Sequence, residues 1–258
     1  MWPTLLSLGP LSIHTFGVLI FLGVFFGGFK LWQKAKEEGW DEVGVMDTWL
    51  LAGIGALIAS RLGFILLHWA EFNQSWYKIL FITKFPGLSA EGAWLGASAV
   101  LILAGLKKRL DLWLWLEAVI PSLLIFEALA RLGSFFAGSN LGRVAANGWG
   151  LPFPGVDGLR WPVQLVWVLM IWLAYLMINY WERHYRNFNW KTGVLAGAYL
   201  ALIGVLKLGL GFFEDHPFEW WGVGLALAGG LILLFRSGIT INTPRSVKKK
   251  KLRRFDYV

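Results

Sequence analysis

Stretches of about 20 mainly apolar residues recur along most of this chain, and each is long enough to cross a bilayer as a helix. The breaks between them carry charged residues or glycine and proline. Of the 258 residues, 57% are hydrophobic and only 16% are charged, which excludes a soluble domain carried on a single anchor. Within lipid, helices satisfy their own backbone hydrogen bonds. The sequence therefore predicts an all-α, polytopic membrane protein.

Apolar length and the intervening breaks predict about seven transmembrane helices. The predicted spans are 13–32, 47–69, 92–106, 112–136, 163–181, 193–213 and 220–236. The third span is short for a hydrocarbon core about 30 Å thick, so residues 85–91 are expected to enter the membrane as a loop before it. No internal repeat relates one half of the chain to the other.

Basic residues are distributed unevenly between the two sides of these spans. One side carries 17 Lys and Arg residues and the other carries four, which are Lys78, Lys84, Arg143 and Arg160. By the positive-inside rule, the N-terminus is expected outside and the C-terminus in the cytoplasm. The predicted organisation is a transmembrane domain over 1–236, with outer loops 70–91 and 137–162, followed by a basic cytoplasmic tail over 237–258.

The formal net charge of +8 does not indicate nucleic-acid binding, because the tail alone supplies most of it. Six basic residues of the tail are Lys248, Lys249, Lys250, Lys251, Arg253 and Arg254. Near the membrane, each is expected to attract anionic lipids by about 1 kcal/mol. A plain topology signal explains the same cluster, so both interpretations remain open. The chain has no cysteine, which excludes disulfides, thiolate nucleophiles and iron–sulfur ligation. No metal or other cofactor is expected.

Five ionisable residues lie well inside the predicted spans, away from their ends, where each costs about 2.5–3.5 kcal/mol on insertion scales. They are Arg61, Glu117, Glu127, Arg131 and Lys207. Glu127 and Arg131 are four residues apart with the acid first, a spacing that predicts a structural ion pair. Lys207 and Glu214 share a helix face at a spacing of seven, and two turns are too far for direct contact without help from another helix. The sequence identifies no partner for Lys207.

The second outer loop is rich in glycine and proline and carries two arginines. Gly142 and Arg143 lie in its first half, and Arg160 lies just before the next span. Exposed backbone N–H groups and guanidinium groups at the outer boundary suit the phosphate of a lipid headgroup. An ordinary interfacial loop explains the same composition, so both interpretations remain open.

A specific combination of short motifs extends over nearly the whole chain. The motifs are Leu8-Gly-Pro-Leu-Ser-Ile-His14 with Gly17, Ser60-Arg-Leu-Gly-Phe64, Gly87-Leu-Ser-Ala-Glu-Gly92, Glu117 with Pro121, Arg131-Leu-Gly133, Gly142-Arg143, residues 149–154 and residues 160–165. Together they resemble the prolipoprotein diacylglyceryl transferase family. The resemblance implies a seven-helix protein of the bacterial cell (inner) membrane. It also implies transfer of a diacylglyceryl group from phosphatidylglycerol to the cysteine of a lipoprotein precursor.

The chain departs from the family pattern at several polar positions. They are Phe16, Glu91, Ala93, Ser134, Ala137, Ser139 and Glu214. Glu91 matches the signature histidine of the family and is a candidate base in its place, with Arg131 as a candidate catalytic partner. Glu214 matches a basic residue, so the resemblance implies that one of two cations bracketing a lipid phosphate is lost. A carboxylate there is expected to repel the phosphate in a low-dielectric site.

Two functional hypotheses follow. The first is a diverged, catalytically impaired homologue that binds membrane lipids, with phosphatidylglycerol the expected one, or serves as a subunit of a membrane assembly. The second is an active transferase that uses Glu91, Arg131, Arg143 and Arg160 on phosphatidylglycerol and a lipoprotein precursor. A transporter or receptor lacks support, because no chain of polar residues crosses the spans.

Overall fold

The computed structural model describes residues 3–8, 11–73, 77, 85, 87–145, 150–153, 155–185, 191–215 and 221–237. Within these residues the helices are α1 (Thr15–Glu38), α2 (Glu42–Leu67), α3 (Trp69–Phe72), α4 (Ala90–Lys107), α5 (Leu112–Ala137), α6 (Val163–Tyr185), α7 (Val194–Gly211) and α8 (Trp221–Ser237). Two antiparallel hairpins pair β1 (Thr4–Leu8) with β2 (Leu11–His14), and β3 (Leu151–Pro152) with β4 (Leu159–Arg160). The basic tail from residue 238 onward lies outside the described residues.

Six of the described helices are long and apolar enough to cross a membrane. They are α1, α2, α4, α5, α6 and α7. The seventh predicted span corresponds to α8, which is apolar over Gly222–Arg236 but shorter than the other six. These helices confirm the predicted all-α, polytopic architecture, with six spans of full length and one shorter apolar helix.

Helix α1 continues to Glu38, well beyond the end predicted for the first span. The extension is stabilised by the ammonium group of Lys34, which is almost fully buried and contacts the carboxylates of Glu37 and Glu182. Because Glu182 lies near the end of α6, this contact ties α1 to α6. A lysine at the predicted edge of a span thus serves packing between helices.

Helix α5 lies at the centre of the bundle and contacts α1, α4, α6 and α7. Its apolar side chains contribute to two buried clusters. One includes Leu124, Trp167 and Ile203 from α5, α6 and α7. The other includes Leu31, Trp49, Leu101 and Trp115 from α1, α2, α4 and α5. The central position of α5 explains why its charged residues are shielded from the surrounding lipid.

Small residues bring two pairs of helices into close contact. A Cβ atom placed on Gly96 of α4 would overlap Ala59 and the backbone of Gly55 on α2. A Cβ on Gly204 of α7 would overlap the backbone of Ala226 on α8. Association of helices in lipid depends on such close packing, because lipid tails are as apolar as the helices themselves.

Glu117, one of the ionisable residues predicted within a span, holds the beginning of α7. Its Oε1 accepts hydrogen bonds from the backbone N–H groups of Gly193 at 2.6 Å and Leu195 at 3.0 Å. A carboxylate stabilises the N-terminus of a helix because the N–H groups there lack helical partners. This contact anchors α7 against α5 at the end of the bundle opposite to Glu214.

Candidate functional site

The chain turns back immediately after α7, and this turn positions the candidate site. Helix α7 ends at Gly211, and the N–H of Phe213 donates to the carbonyl of Leu210. Residues 213–215 then pair with residues 141–143 of the loop between α5 and α6. The N–H of Arg143 donates to the carbonyl of Phe213 at 2.8 Å, and Gly142 and Glu214 form an antiparallel bridge.

This pairing leaves no room for a side chain at residue 142, so it requires a glycine there. A Cβ atom on Gly142 would overlap the carbonyl oxygen of Trp161 and approach a methyl group of Val163. The carbonyl of Gly142 accepts a hydrogen bond from Arg160 at 3.3 Å. Close packing therefore accounts for glycine at this position.

The carboxylate of Glu214 is buried and bound by two side chains. Its Oε2 lies 3.4 Å from the ammonium nitrogen of Lys207, and its Oε1 accepts a hydrogen bond of 3.0 Å from the indole N–H of Trp167. The sequence identified no partner for Lys207, and the structure gives it Glu214, whose carboxylate is also bound by Trp167 of another helix. The contact is possible because α7 ends at Gly211 and the turn that follows returns Glu214 towards Lys207.

A second ion pair lies beside the first. The Nη2 atom of Arg131 is 3.9 Å from Oε1 of Glu127, and the guanidinium carbon lies 4.7 Å from the ring centroid of Trp167. The ammonium group of Lys207 lies 5.9 Å from the same ring. The indole of Trp167 thus connects both pairs, and we call Glu127, Arg131, Trp167, Lys207 and Glu214 the charged cluster.

The charged cluster contains two basic and two acidic side chains, so its formal charge is balanced. Glu127 is buried on α5, and its Oε2 has no hydrogen-bond partner among the described residues. The sequence predicts that Glu214 repels an anion. The structure adds that this carboxylate also neutralises Lys207, the nearest basic residue on α7.

Two arginines form the rim of the site. Arg160 donates from Nη1 to a carboxylate oxygen of Asp215 at 2.6 Å. Arg143 donates from Nε to the backbone carbonyl of Glu214 at 3.0 Å and is exposed. The turn after α7 therefore brings Arg143 and Arg160 together with both acidic residues of the 213–215 segment.

Glu91 occupies a different environment in the first turn of α4. It is exposed, and its Oε2 accepts a hydrogen bond of 2.8 Å from the hydroxyl of Ser89, which also caps the helix through Gly92. Among the described residues, no hydrogen bond or ion pair joins Glu91 to Arg131, Arg143 or Arg160.

The loop before α4 is held by a buried arginine. Arg61 of α2 donates hydrogen bonds to the carbonyls of Phe85 at 2.9 Å and Gly87 at 3.1 Å. The N–H of Ser89 also donates to the carbonyl of Ser60. Arg61 therefore holds the loop that precedes α4 and Glu91.

Two of the departing serines make local contacts at the end of α5. The hydroxyl of Ser134 donates to the carbonyl of Ala130 at 3.2 Å, and the hydroxyl of Ser139 donates to the carbonyl of Ser134 at 3.3 Å. Phe16 lies against Gly133, since a Cβ there would be 3.1 Å from the Phe16 ring. These three side chains surround the end of α5 that carries Arg131.

Sequence analysis missed Trp167, Gln164 and Asp215 as residues of the site. Gln164 is buried and donates to the carbonyl of Ser139 at 2.7 Å. Trp167 lies only four residues after the predicted start of its span at 163, where tryptophans are common, so its position along the chain gave no signal. Within the described ranges, no three His, Asp or Glu side chains are grouped so that they could hold a metal ion.

The helices and this site define a polytopic membrane protein with a charged cluster at one end of its central helix. A family model described as Prolipoprotein diacylglyceryl transferase matches residues 3–219. The chain belongs to this family. The match confirms the resemblance identified from the sequence motifs, and together with the apolar helices it confirms a multi-pass location in the bacterial cell membrane.

Three relatives illustrate the extent of this similarity, and each is named a phosphatidylglycerol–prolipoprotein diacylglyceryl transferase. A protein from Nostoc sp. is 31% identical over 223 residues, covering 80% of this chain and 76% of the relative. One from Aliivibrio fischeri is 26% identical over 269 residues, covering 96% of both. One from Synechococcus elongatus is 32% identical over 152 residues, covering 59% of this chain and only 52% of the relative.

Proposed function

We propose that this chain is a catalytically impaired member of its family that binds phospholipid at the outer face of the inner membrane. The observation that carries this proposal is the ion pair between Lys207 and Glu214, at 3.4 Å. A lipid phosphate that approaches Lys207 meets the carboxylate of Glu214, which is already bound to this lysine. The chain would then act as a lipid-binding protein or as a subunit of a membrane assembly.

Electrostatics explains why this pair opposes transfer. Positive groups aimed at developing negative charge usually supply the largest share of catalysis, and their effect is strongest where water is excluded. In the charged cluster, Glu127 and Glu214 lower the positive potential of Arg131 and Lys207. A balanced cluster stabilises an additional anion less than two unpaired cations would.

The position of Glu91 also supports catalytic impairment. A general base must reach the proton that it removes, directly or through one water. Glu91 instead contacts the N-cap residue Ser89, and its helix α4 packs mainly against α2, whereas Arg131 lies on α5. We infer that Glu91 does not replace the family's histidine as a base.

Retention of lipid is proposed to depend on the rim. Arg143 uses only its Nε atom for the described contact with Glu214, so its two terminal amino groups are available to a phosphate. A planar guanidinium binds two oxygens of one phosphate well. Arg160 supports this arrangement through Asp215 and Gly142, while Arg131 remains inside the charged cluster.

The test combines lipid retention with transfer. Purified protein is incubated with labelled phosphatidylglycerol and a peptide carrying the lipoprotein cysteine motif. We expect bound lipid but no diacylglyceryl transfer. Arg143→Gln should reduce the amount of bound lipid, whereas Arg143→Lys should retain part of it. Glu214→Gln should increase retention of the anionic lipid, because it releases the charge of Lys207.

Glu182→Gln is the matched control, since it also removes one partly buried carboxylate bound to a lysine but at the opposite end of the bundle. It should leave lipid retention unchanged. Efficient transfer by the unmodified protein, abolished by Glu91→Gln, would overturn impairment and establish the active-transferase alternative. Absence of lipid retention from a folded, unmodified protein would reject the lipid-binding role.

A further inference from the structure

The N-terminal hairpin projects from the helical bundle and presents different chemistry on its two faces. Leu6 pairs with Ile13, and the next residue pair joins Ser7 to Ser12. Paired residues of an antiparallel ladder share a face, and successive pairs alternate between faces. The aliphatic pair therefore lies on one face of the hairpin and the serine pair on the other.

The aliphatic face is left uncovered by the rest of the described chain. Leu6 is 49% exposed and Ile13 is 38% exposed, while Ser7 and Ser12 are exposed on the opposite face. The hairpin's principal contacts are between its own strands and with the start of α1. Such a ribbon is only marginally stable in water by itself.

The exposed aliphatic surface is continuous with the membrane-facing surface of α1. Strand β2 ends at His14 and α1 begins at Thr15, without an intervening linker. Phe21 and Phe25 on α1 are exposed to the surroundings of the bundle. No Asp, Glu, Lys or Arg occurs before Lys30, so no charged side chain opposes contact between this segment and lipid.

We propose that the hairpin β1–β2 lies in the interface of one phospholipid leaflet, with Leu6 and Ile13 directed towards the acyl chains and Ser7 and Ser12 towards the headgroups. The outer edges of a two-stranded ribbon carry unpaired backbone N–H and C=O groups. These groups cannot be satisfied in the hydrocarbon core, but water satisfies them in the hydrated interface. Amphipathic segments of this kind settle about 5–10 Å into the boundary between headgroups and acyl chains.

The position of the hairpin in the interface would also hold the beginning of α1 in place. Thr15 donates its N–H to the carbonyl of Pro3 at 3.0 Å, which closes the hairpin onto the helix. Phe16 then lies against Gly133 of α5. A leaflet-bound hairpin thus fixes the beginning of α1 beside α5, the helix that carries Arg131. This inference holds whether the protein transfers a diacylglyceryl group or only binds lipid.

The test uses single cysteines in this cysteine-free chain. Leu6→Cys and Ser7→Cys are labelled with an environment-sensitive fluorophore in phosphatidylcholine nanodiscs that hold one copy each. Residue 6 should show blue-shifted emission, strong quenching by lipids that carry a nitroxide near the acyl carbonyl, and weak quenching by a water-soluble nickel chelate. Residue 7 should show the reverse order of quenching.

Ile13→Cys and Ser12→Cys provide a second matched pair, because each lies opposite one of the first two residues. The two aliphatic positions must agree with each other, and so must the two serine positions. Equal access of the nickel chelate to all four probes would overturn the proposal. Shielding of residue 6 that appears only with two copies per disc would assign the face to protein association and reject leaflet contact.

Discussion

The ammonium group of Lys207 lies 3.4 Å from a carboxylate oxygen of Glu214, and both side chains are less than a tenth exposed. Because α7 ends between these residues, their contact depends on the turn that follows Gly211. The same turn pairs residues 213–215 with the loop between α5 and α6 and places Arg143 and Arg160 at the rim. One ion pair therefore connects the end of α7 to the whole candidate site.

Replacing one member of this pair should destabilise the protein. Glu214→Gln removes the carboxylate that Lys207 contacts, and Lys207→Gln removes the ammonium group that Glu214 contacts, so either change alone should lower the free energy of unfolding by about 3 kcal/mol. The double variant should recover part of this loss. Thermal unfolding in one detergent provides the comparison, and losses that simply add would contradict a direct interaction.

The neighbouring pair should behave similarly but more weakly. Arg131 and Glu127 are separated by 3.9 Å, and Arg131 is more exposed than Lys207. Glu127→Gln and Arg131→Gln should each cost about 1–2 kcal/mol, with partial recovery in the double variant. The same unfolding measurement tests the pair. Equal stability of all four proteins would show that this contact contributes nothing.

Trp167 should stabilise the charged cluster by both its hydrogen bond and its size. Trp167→Phe keeps an aromatic ring beside Arg131 and Lys207 but removes the N–H that binds Glu214, at a cost of about 1.5–3 kcal/mol. Trp167→Ala also leaves a cavity and should cost about 3–5 kcal/mol. Identical unfolding temperatures for the two variants would indicate that ring volume is unimportant.

The close contact of α7 with α8 should be sensitive to one methyl group. Gly204→Ala forces Cβ into the backbone of Ala226 and should destabilise the protein by about 1–3 kcal/mol. Gly209→Ala is the matched control on the same helix, because a Cβ there meets no atom within 4 Å. It should be neutral or slightly stabilising. Equal losses for both variants would argue against tight α7–α8 packing.

Orientation of the chain in the membrane is testable with exposed positions on the two sides. Val144→Cys lies in the loop predicted outside, and Lys107→Cys lies at the end of α4 predicted inside. An impermeant thiol reagent applied to intact cells should label residue 144 but reach residue 107 only after the membrane is opened. The opposite pattern would reverse the predicted topology.

Hydrophobic length and the motifs were sufficient to predict a polytopic helical protein and its family. Six spans of full length and the shorter α8 agree with the predicted architecture. Span ends were less accurate, as the extension of α1 to Glu38 illustrates. Apolar composition identifies the segments that enter lipid. A contact between helices, such as that of Lys34 with Glu182, stabilises a helix beyond the end of its apolar segment.

The sequence by itself determined which residues carry charge into the membrane, because that follows from their positions within long apolar segments. Only the tertiary structure decided their partners. Lys207 meets Glu214 because the chain reverses after α7, and Trp167 joins them from α6. Glu91 lies on a helix that packs against α2, away from those contacts. Periodicity predicts neighbours on one continuous helix, but contacts between helices depend on turns and packing that it does not specify.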